Sequence, residues 1–224
     1  MGVRPEVIPF VIASAVIGVL LIVALRALGV AWRKGLWVGG VVAVVLIGYM
    51  LFFFRDPARH APEDPAALVA GADGTVMAVV DLNEPLCLQT NAVRISIFLS
   101  LFDVHVNRAP LAGQIRFLQY YPGTRYFTFQ EKSSEFNQHS SIFIRGPQTD
   151  CLVNQIVGPV ARRVVYWLTL DQQVQKGDPI GMMKFGSRLD MYFPRADVDV
   201  VVQRGDKVRA GETVVARLRA KDTP

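Results

Sequence analysis

Apolar residues are concentrated in the first quarter of the chain. Residues 7–25 carry no charged side chain, and residues 36–54 form a second uncharged run of 19 residues. Each run is long enough to cross a hydrocarbon core of about 30 Å as a helix, and the first is too long for the apolar part of a signal peptide. The basic residues Arg33 and Lys34 lie between the runs. The pattern predicts a membrane-anchoring helical hairpin over residues 1–54, which either spans the membrane or dips into one leaflet. A buried hairpin in a globular protein is the alternative.

Polar, proline-rich sequence follows the second apolar run. Three prolines fall within residues 55–65. Because proline fixes its own φ and disfavours helix in the residue before it, this stretch is expected to stay extended. The sequence therefore predicts a linker over residues 55–67 and a folded domain over residues 68–224.

The rest of the chain is a series of short runs rich in β-branched and aromatic residues, separated by glycine, proline, asparagine or aspartate. Such runs are typical of strands, and we predict no long amphipathic helix after residue 60. Many short strands indicate a mainly β domain of barrel or sandwich type. The predicted strands are Thr75–Val80, Val93–Leu101, Gln114–Tyr121, Tyr126–Gln130, Ser141–Ile144, Leu152–Val157, Val160–Leu170, Pro179–Met183, Leu189–Phe193, Val198–Gln203 and Thr213–Leu218.

A seven-residue pattern occurs twice near the C-terminus. Residues 174–180 and 202–208 share the order Val-Gln-basic-Gly-Asp-x-apolar. Glycine followed by aspartate favours a tight turn between two strands, because glycine adopts positive φ without strain. We expect residues 170–220 to form two interlocked hairpins of one small lipoyl/biotinyl-like module, with the two copies paired in one sheet.

Charge changes this interpretation little. The chain has 24 basic and 19 acidic residues, a net charge of +5, and 51% of its residues are hydrophobic. Residues 1–54 carry a net charge of +3 and the remaining residues +2, without a basic block, so we predict no nucleic-acid partner. The two cysteines, Cys87 and Cys151, do not form a disulfide framework or a zinc site. They are expected to be free thiols, and no metal is expected.

One segment between the two copies of the repeat has unusual chemistry. Gly186-Ser187 is the only Gly-Ser pair in the chain. A glycine carbonyl is open to close approach, so the hydroxyl of the next serine can attack it and convert the amide into an ester. From these residues alone, a plain turn is the favoured interpretation.

Four segments together resemble a known family. Lys184–Pro194, with the order Phe-Gly-Ser-Arg, resembles the cleavage site of phosphatidylserine decarboxylase proenzymes of the short (type II) class. Ala72-Asp73-Gly74 resembles the Ala-Asp-Gly motif of that family, and Leu99–Pro110 resembles its histidine motif. Phe54–Arg59 also fits. The similarity extends over roughly residues 52–218.

The resemblance implies a self-processing enzyme. His105 would act as general base on the Ser187 hydroxyl, and Asp73 would orient the imidazole. Ser187 would attack Gly186, and elimination and hydrolysis would leave a pyruvoyl group in place of the serine. The products would be a β chain of residues 1–186 and an α chain of residues 187–224, which stay together as a heterodimer.

The resemblance also implies the reaction and its place. The pyruvoyl group would form a Schiff base with the amine of phosphatidylserine in the membrane and accept the electron pair freed as CO2 leaves. His105 would then supply the proton that gives phosphatidylethanolamine. Arg108 or Arg188 could bind the lipid phosphate, since arginine suits bidentate phosphate contacts. The family implies the cytoplasmic face of the inner membrane. The sequence leaves open a homo-oligomer and the preference for lipid tail or backbone.

Two other functions fit parts of the sequence. Met183-Lys184-Phe185 followed by the second copy of the repeat is similar to biotin-acceptor modules, so the chain could be a membrane-anchored carrier modified at Lys184. A membrane-anchored β-barrel binding module without chemistry is the second alternative. Neither of them uses the segments around Asp73 and His105.

Overall fold

The chain divides into two compact units, Met1–Ala58 and Arg59–Pro224. The structure, a computed structural model, describes residues 2–124, 126, 128, 137–158, 164–184 and 187–220.

The first unit contains the predicted helical hairpin. After a short 3-10 helix (Pro5–Val7), helix α1 (Ile8–Ala27) and helix α2 (Trp32–Phe53) form the pair, and both are long and apolar enough to cross a membrane. Strand β1 (Gly2–Val3) pairs antiparallel with strand β2 (Arg55–Asp56). Because β1 precedes the hairpin and β2 follows it, both ends of the hairpin lie at the same end of this unit.

Small residues form the seam between the two helices. Ser14 and Gly18 of α1, and Gly35 and Gly39 of α2, are buried although the helices are otherwise largely exposed. A Cβ atom added at Gly39 would lie 2.8 Å from the Gly18 carbonyl oxygen, so the backbones approach too closely for a larger residue. Small residues four apart allow such close packing of membrane helices. The same spacing is visible in the sequence, at Ser14 and Gly18 and at Gly35 and Gly39.

The second unit is built from antiparallel strands, and its described residues contain no helix. These strands are β3 (Ala67–Val69), β4 (Gly74–Glu84), β5 (Thr90–Leu99), β6 (Val106–Arg108), β7 (Gly113–Tyr121), β8 (His139–Arg145), β9 (Asp150–Val157), β10 (Val165–Tyr166), β11 (Gln173–Val174), β12 (Pro179–Met182), β13 (Ser187–Pro194), β14 (Val198–Val200), β15 (Lys207–Val208) and β16 (Val214–Leu218).

Three sheets enclose the core. The largest has the order β11-β7-β8-β9-β13-β5-β4-β15 and curls into a half-barrel. Two three-stranded sheets have the orders β10-β12-β6 and β14-β16-β3. Ile95, Ile180, Leu189 and Val215 belong to one buried cluster although they come from all three sheets. The mainly β architecture predicted from the sequence is therefore confirmed.

Long strands were predicted better than short ones. The short strands β3, β6, β11 and β15 were not predicted, because two or three residues are too few to show an alternation of apolar and polar side chains. Residues 160–163 of the predicted strand Val160–Leu170 lie outside the described residues, and only Val165–Tyr166 of the remainder is a strand. Most of the predicted strand Tyr126–Gln130 also lies outside them.

The repeated segment forms two equivalent turns. Gly177 and Gly205 have φ of 87° and 101°, and each following aspartate accepts a hydrogen bond from the backbone N–H three residues earlier, at 2.7 Å for Asp178 and 2.9 Å for Asp206. The predicted turns are thus present. The strands flanking each turn, however, do not pair with each other, because β11 pairs with β7 and β15 with β4.

The hairpin module predicted at the C-terminus is therefore not confirmed. Strands β11 and β15 lie at opposite edges of the eight-stranded sheet, so the two copies of the repeat do not pair side by side. What joins the regions before and after residue 187 is instead strand β13, which lies between β9 and β5 in the middle of that sheet.

Candidate active site

Three segments that are distant in sequence meet at the start of β13. Ser187 pairs with Leu99 at the end of β5 and with Val157 at the end of β9. One step along β5, Phe98 pairs with Thr75, which directly follows the Ala-Asp-Gly segment. The remaining segment is tied to the same place, because the Met183 N–H donates to the His105 carbonyl oxygen at 3.2 Å.

Ser187 is fully buried. Within the described part of the chain its Oγ makes no hydrogen bond. A buried hydroxyl without a partner costs about 1–3 kcal/mol of stability, so its presence calls for a chemical reason. Gly186, the other residue of the predicted cleavage site, lies outside the described residues.

His105 is also fully buried, and its tautomer follows from one contact. Its Nδ1 lies 3.0 Å from the backbone carbonyl oxygen of Asp103. Because a carbonyl can only accept a hydrogen bond, Nδ1 carries the proton of the neutral imidazole and the lone pair is on Nε2. Nε2 is therefore the atom that can take up a proton.

Asp73 is a largely buried carboxylate held by two donors. Its Oδ2 accepts from Arg59 Nη2 at 2.7 Å and its Oδ1 from the Ala210 N–H at 2.7 Å. Burial raises the pKa of Asp73 above its ordinary value and outweighs the opposing effects of these two partners, while the nearby charge of Asp103 raises the pKa further. The orienting role of Asp73 toward His105 stays a prediction.

Asp103 shapes the turn that carries the histidine. Its Oδ2 accepts from the Ser100 N–H at 2.8 Å and from the Ser100 Oγ at 2.6 Å. Asp73 and Asp103 line one small cavity together with Lys207. Neither Asp103 nor Arg59 was given a role from the sequence, although Arg59 ends the segment that begins at Phe54 and resembles the family.

A chain of side-chain hydrogen bonds connects two of the sheets beside Ser187. Ser140 Oγ donates to Gln155 Oε1 at 2.8 Å, and Gln155 Nε2 donates to Asn107 Oδ1 at 2.7 Å. All three residues are fully buried. Asn107 lies within the segment that resembles the histidine motif, but nothing in the sequence placed it near Gln155.

The two arginines predicted to bind phosphate are buried and have protein partners. Arg188 is fully buried, with Nε 2.7 Å from Asp190 Oδ1 and Nη2 2.8 Å from Ser96 Oγ. Arg108 Nη1 donates to the Gly177 carbonyl oxygen at 3.0 Å. A phosphate contact for either arginine stays a prediction.

Metal-binding and thiol chemistry have little support among the described residues. No group of three or more His, Cys, Asp or Glu side chains there could hold a metal ion. Cys87 and Cys151 are free thiols, as expected. Burial, helped by the charge of Glu84, raises the pKa of Cys87 to about 11, so this thiol stays protonated at neutral pH.

Known proteins share this sequence over most of its length. A sequence profile of the phosphatidylserine decarboxylase family matches residues 46–216. The phosphatidylserine decarboxylase proenzyme of Carboxydothermus hydrogenoformans is 42% identical over 199 residues, which are 87% of this chain and 93% of that protein. The proenzyme of the same name from Symbiobacterium thermophilum is 37% identical over 206 residues, 90% of this chain and 92% of the relative. The chain therefore belongs to the phosphatidylserine decarboxylase family.

Proposed function

We propose that this chain is a phosphatidylserine decarboxylase proenzyme that cuts itself between Gly186 and Ser187 and then converts phosphatidylserine into phosphatidylethanolamine and CO2. The observation that carries the proposal is the buried Ser187 Oγ, which has no hydrogen-bond partner among the described residues and lies at the point where the His105 and Asp73 segments meet.

Self-cleavage needs a base, a nucleophile and a group that stabilises the charged base. His105 Nε2 takes the proton of the Ser187 hydroxyl while Oγ bonds to the Gly186 carbonyl carbon. The C–N bond then breaks, and the freed amine takes the proton from His105. The carboxylate of Asp73, which lines one cavity together with Asp103, stabilises the imidazolium.

The ester is then eliminated. His105, which is neutral again, takes the α-proton of Ser187, and the electron pair of that C–H bond expels the Gly186 carboxylate and leaves dehydroalanine at the new N-terminus. Hydrolysis releases ammonia and leaves a ketone. The α chain then has 38 residues.

The buried site fits a pyruvoyl group at residue 187. Such a group supplies a ketone that accepts the substrate amine and a neighbouring carbonyl that withdraws electrons as CO2 leaves. His105 remains beside it and returns a proton to the substrate α-carbon. Packing of β13 between β5 and β9 encloses this position, because every residue from Ser187 to Phe193 is buried.

The α and β chains remain one protein after the cut. Strand β13 pairs with β5 on one side and β9 on the other, and β16 pairs with β3. These ladders join residues on both sides of the cleavage site, so the two chains form a heterodimer without any covalent link.

The helical hairpin gives the enzyme access to its lipid substrate. Its two apolar helices are of membrane length, and Arg33 and Lys34 between them suit anionic headgroups. We place the hairpin in the inner membrane, with the β unit on the cytoplasmic face where phosphatidylserine is available. Membership of this family does not favour the carrier alternative at Lys184.

Replacing the nucleophile tests the proposal. Ser187→Ala should stay one full-length chain without decarboxylase activity, whereas the parent should give two chains, the smaller starting at residue 187 with a ketone in place of serine. The matched control is Ser141→Ala, which removes a buried hydroxyl on strand β8 of the same sheet and should still be processed. Intact mass spectrometry and release of CO2 from phosphatidylserine are the measurements. Processing or activity in Ser187→Ala would contradict the proposal.

A further inference from the structure

Asn107 is a buried polar residue whose donor group has no role in the steps above. Its side chain is fully buried, and its Nδ2 has no hydrogen-bond partner in the part of the chain that the structure describes. Buried amide groups are almost always paired. An unpaired one two residues after His105 is therefore a candidate for binding a group that appears only during the reaction.

The Asn107 carboxamide stands at the end of a relay of side-chain hydrogen bonds. Its Oδ1 accepts from Gln155 Nε2 at 2.7 Å, and the Gln155 Oε1 in turn accepts from Ser140 Oγ at 2.8 Å. Ser140 can act as the donor of this relay because a hydroxyl always carries a proton. With Oδ1 occupied by a donor, the N–H groups of Asn107 are the end of the carboxamide left to donate.

The strand register relates Asn107 to Ser187 through Gln155. Asn107 follows His105 by two residues on an extended segment, so their side chains share a face. Gln155, to which Asn107 bonds, precedes Val157 by two residues on β9, and Val157 pairs with Ser187. Gln155 therefore faces the same side of the large sheet as Ser187, and diagonal neighbours of this kind are about 7–8 Å apart.

We propose that an Asn107 Nδ2 N–H donates a hydrogen bond to the carbonyl oxygen of residue 186 while Ser187 attacks, an inference that rests on the proposed self-cleavage. As the Oγ–C bond forms, the electron pair of the C=O double bond moves onto that oxygen, and the hydroxyl proton passes to His105. When the C=O double bond re-forms, the C–N bond breaks and the amine takes the proton from His105. Asn107 is thus a catalytic residue that stabilises the oxyanion.

A preset donor suits this role. It needs no reorganisation when negative charge develops, and in a site shielded from water its effect is strong. Removing one such donor lowers the rate of comparable acyl-transfer steps by about 100- to 1,000-fold. The unpaired Nδ2 is held in place by the Gln155 relay before the reaction begins, which is the arrangement that such a donor needs.

The test compares two buried asparagines on strands of different sheets. Asn107→Ala should slow self-cleavage of the freshly made full chain by about 100-fold or more. Asn154→Ala is the matched control, because Asn154 is also buried and accepts a hydrogen bond from Ser141 at 2.7 Å, but it lies next to Gln155 on β9 and therefore on the opposite face of the sheet. This control should be processed at the parent rate. The fraction of cleaved chain over time is read by intact mass.

Two further readouts separate a catalytic from a structural role. The dependence of the cleavage rate on pH should keep its midpoint in Asn107→Ala, because the base is unchanged, whereas displacement of His105 would shift it. Hydroxylamine, which cuts the ester intermediate, should not restore rapid cleavage in Asn107→Ala, because the ester forms slowly. Rapid cleavage by hydroxylamine, a shifted pH midpoint or a parent-like rate would overturn the inference.

A second variant covers the case in which the alanine variant does not fold. Asn107→Leu keeps the branched shape and fills the space while removing the donor, so a folded Asn107→Leu that cleaves at the parent rate equally overturns the inference. Failure of the proposed function is distinguishable, since the parent chain would then show no fragment starting at residue 187. Cleavage in the parent and slow cleavage in either folded Asn107 variant support the inference.

Discussion

At the scale of single residues, the candidate active site contains buried polar groups that lower the stability of the folded chain. Ser187 Oγ and Asn107 Nδ2 are buried without partners in the described structure, and Asp73 is a carboxylate whose burial opposes its charge. Each of these costs stability. Such costs are expected at a reacting centre, because stability and activity compete there.

The pKa of Asp73 gives a prediction about stability. Its pKa in the folded protein is raised above the ordinary 3.8, so its contribution to stability is complete below that value and is lost as pH rises through the raised pKa. In a Ser187→Ala background, which keeps all proteins as single chains, Asp73→Asn should gain thermal stability relative to the parent as pH rises over this range. The measurement is the unfolding temperature against pH.

Arg59 provides the control for that measurement. Its charge lowers the pKa of Asp73, so Arg59→Gln should move the loss of stability to higher pH. A difference between Asp73→Asn and its parent that stays flat or falls with rising pH would contradict the assignment.

The sequence predicted the residues of this site unevenly. Asp73, His105 and Ser187 belong to short contiguous segments that resemble a family, so they could be named. Arg59 and Gln155 could not be named, because their roles depend on contacts with residues that are distant along the chain.

At the scale of elements, strands and turns follow different determinants. Strands such as β5 and β9 are long runs of β-branched residues and could be predicted, whereas β6 and β15 exist only because partners pair with them. The two Gly-Asp turns were predictable because the local sequence determines them. The pairing of the strands that flank them was not, because it is decided by the sheets around them.

The glycines of these turns allow a clean comparison. Gly205 has φ of 101° and a Cβ added there would meet no atom within 4 Å, so Gly205→Ala should lose only the backbone term, about 1–2 kcal/mol. Gly177→Ala should lose more, because its Cβ would lie 3.1 Å from the Ala61 Cβ. Thermal or denaturant unfolding of the Ser187→Ala chain measures both.

Asparagine serves as the control at the same position. It enters the positive-φ region more readily than alanine, so Gly205→Asn should be less destabilised than Gly205→Ala. Equal stability of Gly205→Ala and its parent would show that the turn does not need glycine.

At the scale of the whole molecule, the two strands that flank the hairpin determine its topology. Strand β1 before α1 pairs with strand β2 after α2, and Arg4 pairs with Asp56 at 2.7 Å. In a hairpin that spans a membrane, Val3 and Arg55 therefore lie on the same side of that membrane. The sequence showed the two apolar runs but not the pairing of β1 with β2. The charges that flank the runs do not favour one orientation of the hairpin.

The lengths of the helices complete the prediction. With 20 and 22 residues at about 1.5 Å each, α1 and α2 match a hydrocarbon core of about 30 Å, so we expect the hairpin to span the membrane rather than dip into one leaflet. Single cysteines at Val3, Lys34 and Asp199, introduced after replacement of Cys87 and Cys151, can be tested in oriented vesicles with a membrane-impermeant maleimide. Val3→Cys and Asp199→Cys should react from one side and Lys34→Cys from the other. Reaction of Val3→Cys and Asp199→Cys from opposite sides would contradict the β1–β2 pairing, and reaction of all three from one side would show a hairpin confined to one leaflet.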